Sequence, residues 1–173
     1  AIAAQYQPPQ LALALLREAV TSATRAKEQS RYAAQAYAID PAVGRELFAL
    51  ARTTLRNAGE NARGDLVDYA FYAAVADPAE SRLLLEQACA EELRLAGHDN
   101  SGWALLNLAL AMTSIDVDRA LEIARAIPED NARFDAQRKI AQYILATDDV
   151  RQQLDFDRWG ASDTWTPGEE TGW

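Results

Sequence analysis

A chain of 173 residues, 49% of them hydrophobic, is long enough to bury one sizeable core, and a helical-repeat array of this length falls in the same range. A formal charge of -9 and a pI near 4.6 argue against a phosphate-backbone footprint, which needs clustered Lys and Arg to release counterions, so basic or neutral partners fit better and no nucleic acid is expected. The single Cys89 rules out an intramolecular disulfide, leaving packing alone to hold the fold.

No apolar run approaches the roughly 20 residues a bilayer-spanning helix needs, which predicts a soluble protein without a transmembrane segment. Ala1-Ile2-Ala3 fits either a removed initiator Met or a small-residue signal-peptidase site, and export to the periplasm is favoured over retention in the cytoplasm. Residues 1–10 carry Pro8 and Pro9, which lack a backbone N–H, and read as an extended arm.

From Leu11 the residues Leu11, Leu15, Leu16, Ala19 and Val20 follow the spacing of one helical face. The polar run Glu28-Gln29-Ser30-Arg31 is expected to be a loop before Tyr32, Ala33, Ala36, Tyr37 and Ile39 resume the pattern. Asp40-Pro41 then supplies a capping side chain and a proline at the first helical position, where its missing donor costs nothing. The helix that follows buries Leu47, Phe48, Leu50, Ala51 and Leu55, and Gly59 suits the left-handed position past its end. Beyond Glu60-Asn61-Ala62-Arg63 comes a helix with Leu66, Val67, Ala70, Phe71, Ala74 and Val75.

Asp77-Pro78-Ala79-Glu80 resembles a capping box and opens a helix with Leu83, Leu84, Ala88 and Leu95 on its apolar face, stopped by Gly97. Asp99-Asn100-Ser101-Gly102 precedes a helix carrying Trp103, Leu105, Leu106, Leu108, Ala109 and Met112. After Asp116, Leu121, Ile123, Ala124 and Ile127 form the next face. Pro128 breaks it, and Asp130-Asn131-Ala132-Arg133 leads to Phe134, Ile140, Ile144 and Leu145.

The acid-led loops starting at Glu28, Glu60, Asp99 and Asp130 recur at intervals of 32, 39 and 31 residues, and the junctions at Asp40, Asp77 and Asp116 at 37 and 39. Two independent markers therefore agree on a repeat of two helices. The expected fold is all-α, with about four antiparallel helix-turn-helix pairs stacked as a short irregular solenoid over residues 11–149.

Over that span Ala36-Tyr37-Ala38-Ile39-Asp40-Pro41 and Asp118-Arg119-Ala120-Leu121-Glu122-Ile123-Ala124 resemble the junction and first-helix phrases of tetratricopeptide-like and HEAT-like helical-repeat proteins. The Trp, Leu-Gly and Tyr signature positions of a tetratricopeptide repeat are absent. The resemblance implies a scaffold that presents a concave helical surface to another macromolecule.

Arg31, Arg63 and Arg133 sit where a helix start disfavours a cation, so each is expected to tie to a carboxylate of its own loop or of the neighbouring repeat. A row binding phosphate or carboxylate is the competing role. Asn61 and Asn131 should shape the turns, and Asn61, Asn100 and Asn131 should line one edge. His98 reads as a surface loop residue, since nothing assembles around it into a catalytic or metal set, and Cys89 as an inert buried thiol. Asp155-Phe156-Asp157-Arg158-Trp159-Gly160 begins like a calcium loop but places Trp159 and Thr166 where ligands belong, and Asp148-Asp149 is explained by a helix-terminal turn. No catalytic residue, metal site or cofactor is expected.

Residues 150–173 form an acidic tail with three of the four tryptophans, Trp159, Trp165 and Trp173. An indole removes about 150–250 Å² of surface from water on docking, so these side chains either cap the last helical pair or anchor a partner. The expected function is a non-enzymatic protein-binding or assembly scaffold, the alternatives being an accessory subunit of a larger complex and, behind it, an enzyme or small-ligand binder. Self-association is compatible with all three.

Overall fold

Eight helices run through residues 9–59, 62–95 and 101–146, the residues that the computed structural model describes: α1 (Pro9–Ser22), α2 (Ala26–Ile39), α3 (Pro41–Asn57), α4 (Ala62–Ala73), α5 (Pro78–Arg94), α6 (Ser101–Thr113), α7 (Val117–Ala126) and α8 (Asp130–Leu145). Among these residues there is no strand, and the fold is the all-α short helical-repeat arrangement expected.

Three of the helix starts follow directly from the sequence. Asp40 accepts from the N–H groups of Ala42 (2.8 Å) and Val43 (3.3 Å), Asp77 from Glu80 (2.9 Å) and Asp116 from Arg119 (3.0 Å), satisfying donors that a helix start leaves without an intrahelical partner. The capping box at Asp77 is half formed, because the Glu80 carboxylate turns away to Arg52 on α3. Gly59 takes the left-handed conformation, φ 56°, just past α3.

Consecutive helices pack against each other, and α2, α4, α6 and α8 also pack side by side as one layer. The odd-numbered helices form a looser second layer, bridged by Arg17–Glu46, Arg52–Glu80, Arg82–Asp116 and a two-toothed Arg119–Glu86 pair. The tighter even-numbered layer is therefore the inner side of the stack. Its centre, α6, places Leu105, Leu106, Leu108, Ala109, Leu110, Ala111 and Met112 wholly inside.

Two apolar clusters share α4. Tyr69 and Ala73 face the cluster of Val20, Ala33, Leu47, Phe48 and Ala51, and Ala70 and Phe71 face that of Leu85, Leu105, Ile123 and Ile140. Because α4 is covered on both sides, its apolar residues occur all round rather than on a single stripe.

The structure corrects two expectations near the start. The break between the first two helices lies at residues 23–25, and Glu28-Gln29-Ser30-Arg31 is inside α2. Gln29 and Ser30 are polar yet buried: Gln29 Nε2 donates to the carbonyls of Val20 (3.1 Å) and Ala23 (2.8 Å), closing the end of α1, and Ser30 Oγ donates to Lys27 O. On α1, which starts at Pro9, the inward residues are Leu13, Leu16 and Val20, whereas Leu11 and Leu15 are exposed.

One residue, Asp40, separates α2 from α3, and so short a junction presses the helices together at Gly44. A Cβ there would stand 2.4 Å from both Cα and Cβ of Tyr37. Gly44→Ala is expected to cost about 1–3 kcal/mol. Gly64→Ala on α4, with nothing within 4 Å of the added carbon, should instead stabilise by up to about 1 kcal/mol. Urea denaturation of both variants checks the pair, and equal stabilities would contradict the close α2–α3 approach.

Candidate functional site

The starts of α2, α4 and α6 each meet a carboxylate delivered from further along the array. Asp65, in the first turn of α4, accepts from Arg25 Nε (3.1 Å) and Nη2 (2.5 Å) through one oxygen and from the Ala26 N–H (3.0 Å) through the other. Arg63 Nε donates to Glu92 Oε1 of α5 at 2.6 Å. The Gly102 N–H donates to Glu129 Oε1 at 3.3 Å, and the missing side chain at Gly102 leaves room for that carboxylate. Asp65 and Glu92 are buried, so these are desolvated contacts at the positive end of a helix.

Asp68 lies one turn beyond Asp65, half-buried, with Lys27 and Arg25 on the α2 side and Asp65 on its own helix. Burial pushes its carboxyl up to about 6, Lys27 and Arg25 oppose the rise, and Asp65 adds to it. Burial likewise pushes the Cys89 thiol up, and Cys89 packs in the core beside Leu85, as an inert thiol should. Among the described residues no cluster of His, Cys, Asp and Glu could hold a metal ion, and no helix is long and apolar enough to cross a membrane.

Of the residues singled out in the sequence, Arg63 pairs with Glu92 of the neighbouring repeat and Arg133 with Asp130 of its own turn, while Arg133 Nη1 also donates to Ile127 O at 3.0 Å. Arg31 is not at a helix start. It lies within α2 with its guanidinium 5.2 Å from the centre of the Tyr32 ring, and Arg25 takes the place at the helix start instead. Asn131 is exposed in the first turn of α8. Asn61, Asn100, His98, Asp148-Asp149, the calcium-like run and Trp159, Trp165 and Trp173 lie outside the described residues.

Sequence reasoning missed the exposure of Trp103. Only a narrow strip of α6 reaches solvent, and Trp103 (56% exposed) and Asn107 occupy it one turn apart on the even-helix side. Asn107 was the available signal, since a lone amide in an apolar helix marks its wet face, and Trp103 is four residues before it. Thr113, Ser114, Ile115, Val117, Tyr143 and Ile144 line a shallow depression of about 380 Å³ between the α6–α7 turn and the end of α8. Its Thr113 and Ser114 hydroxyls donate back to Ala109 O (2.9 Å) and Ala111 O (3.3 Å), which commits them to the helix.

Asp65→Ala strands a buried N–H and a guanidinium together and is expected to cost about 2–4 kcal/mol. Glu46→Ala, breaking an exposed pair with Arg17 at 3.5 Å, should cost less than about 0.5 kcal/mol. A raised carboxyl at Asp68 means that the native state holds its proton where the unfolded chain has lost it, so the proton's contribution is complete below about pH 4 and disappears as pH rises through about 6. Asp68→Asn is therefore expected to be more stable than the parent at pH 7.5, by about 1–2 kcal/mol after allowance for solvent screening, and nearly equal at pH 4. Urea midpoints at both pH values test this, and a pH-independent difference between the two proteins would contradict it.

Models of protein families, curated proteins and solved structures were each compared with this chain, and none of them gives a match.

Proposed function

We propose that the protein is a non-enzymatic binding or assembly scaffold, with the even-helix face and the tail tryptophans Trp159, Trp165 and Trp173 as its contact elements. The observation that carries this reading is Trp103: an indole 56% exposed on a helix otherwise buried almost along its whole length. Indoles dominate interface energetics because they exchange a large apolar area for water while a single N–H keeps directionality. The hydroxyls and carboxylates near it are already committed, to helix carbonyls at Thr113 and Ser114 and to helix starts at Asp65, Glu92 and Glu129. The net charge of -9 favours a basic or neutral protein as partner.

Trp103→Ala should leave thermal stability within about 1 kcal/mol of the parent, since the ring is largely solvated already. The same change should weaken capture of a partner from lysate of the native organism by about 30-fold if Trp103 is an anchor worth about 2 kcal/mol. Deleting residues 155–173 separates the two contact elements: loss of capture at unchanged stability assigns anchoring to the tail. An undiminished set of partners for both variants would overturn the reading.

A further inference from the structure

The two ends of the helical array are both unfinished, and they match each other. Terminal units of a repeat stack normally turn a polar face outward, because no neighbour covers them. Here α8 ends the described array with Phe134 70% and Leu145 84% exposed, and α1 begins it with Leu11 46% and Leu15 53% exposed.

Spacing relates the two surfaces. Along α1 the exposed residues Leu11, Leu15, Glu18 and Ser22 are separated by four, three and four positions, which is a single stripe about three turns long. Along α8, read backwards, exposed Leu145, Ala141, Arg138 and Phe134 are separated by four, three and four. Laid antiparallel, Leu11 meets Leu145, and Leu15 meets the small Ala141. Glu18 then meets Arg138, and Ser22 leaves room for Phe134. Large faces small twice, and the one acid faces the one base.

Helix order supplies the place. α2, α4 and α6 are each covered by the odd-numbered helix that follows, while α8 is the one even helix of the described array with none after it. An α1 from elsewhere is an odd-numbered helix without an even-numbered predecessor. We infer that the outer stripe of α8 receives α1 of a second copy of this chain, stacking copies head to tail. Such a contact uses different surfaces on its two sides, so it propagates into a line or closes into a ring rather than stopping at a two-fold dimer. It deepens the scaffold reading by naming one partner, but it uses neither Trp103 nor the tail, so the two fail separately.

Sedimentation velocity of the full chain over a concentration series tests this. The parent should form species larger than a dimer as concentration rises, and both Leu145→Glu and the double variant L11E/L15E should sediment as monomers. Mixing those two variants leaves one intact junction, α1 of the first on α8 of the second, and should yield a dimer that grows no further. All three side chains are exposed, and unchanged circular dichroism melting confirms that the variants fold. As a second, fold-neutral probe, E18R should weaken association about tenfold, and E18R combined with R138E should restore it. A parent that stays monomeric at several hundred micromolar overturns the inference. So does dissociation by Leu145→Glu but not by L11E/L15E, the signature of α8 pairing with α8, and so does association that appears only after residues 147–173 are removed.

Discussion

Carboxylates placed on helix starts fix how one unit of this array sits on the next. Apolar burial supplies most of the stabilisation, but it is proportional to area and nearly indifferent to a helix sliding or turning by a few ångströms. Asp65 is not indifferent. One of its oxygens needs the Ala26 N–H at 3.0 Å and the other needs Arg25, so α4 can occupy one place against α2. Glu92 under Arg63 and Glu129 over Gly102 repeat the device further along, each with different residues. The ties are alike in physics and unlike in sequence, which is why unit length can wander from 31 to 39 residues without the stack coming apart.

The visible repeat in the sequence follows from a different device. Asp40-Pro41, Asp77-Pro78 and Asp116 announce helix starts because capping is local, and a local rule can be read from neighbours in the chain. Asp65 bonds residues 39 and 40 positions away, and no pattern within α4 tells an acid that helps cap another helix from an ordinary one in a first turn. Arg63 and Arg133 do meet carboxylates, but those partners differ, one from α5 and one from the same turn. The resemblance between their loops is therefore a resemblance of helix starts.

Where the sequence misled, burial of polar groups is the cause. Gln29 and Ser30 look like loop residues, yet they are inside because α1 ends against α2 and its last carbonyls need donors that water cannot reach. In α1 the difficulty is the reverse: Leu11, Leu13, Leu15 and Leu16 surround the helix, and periodicity cannot choose a face when every face is apolar. The same holds for Phe134 and Leu145 on α8, whose exposure depends on there being no ninth helix in the described array.

That dependence separates the surfaces of the molecule into two kinds. Between repeats, each apolar side chain is covered by a neighbour that the chain itself provides, and charge is spent on setting register. At the ends and along the α6 strip, the chain provides large side chains and no described neighbour: Leu11 and Leu15, Phe134 and Leu145, and Trp103. A repeat fold has this asymmetry built in, because its core is extensible and each added unit leaves the last face as open as before. Natural arrays end the series with polar residues. In this one the terminal stripes keep Leu and Phe at matched intervals with one acid on α1 and one base on α8, a pattern that solubility alone would select against.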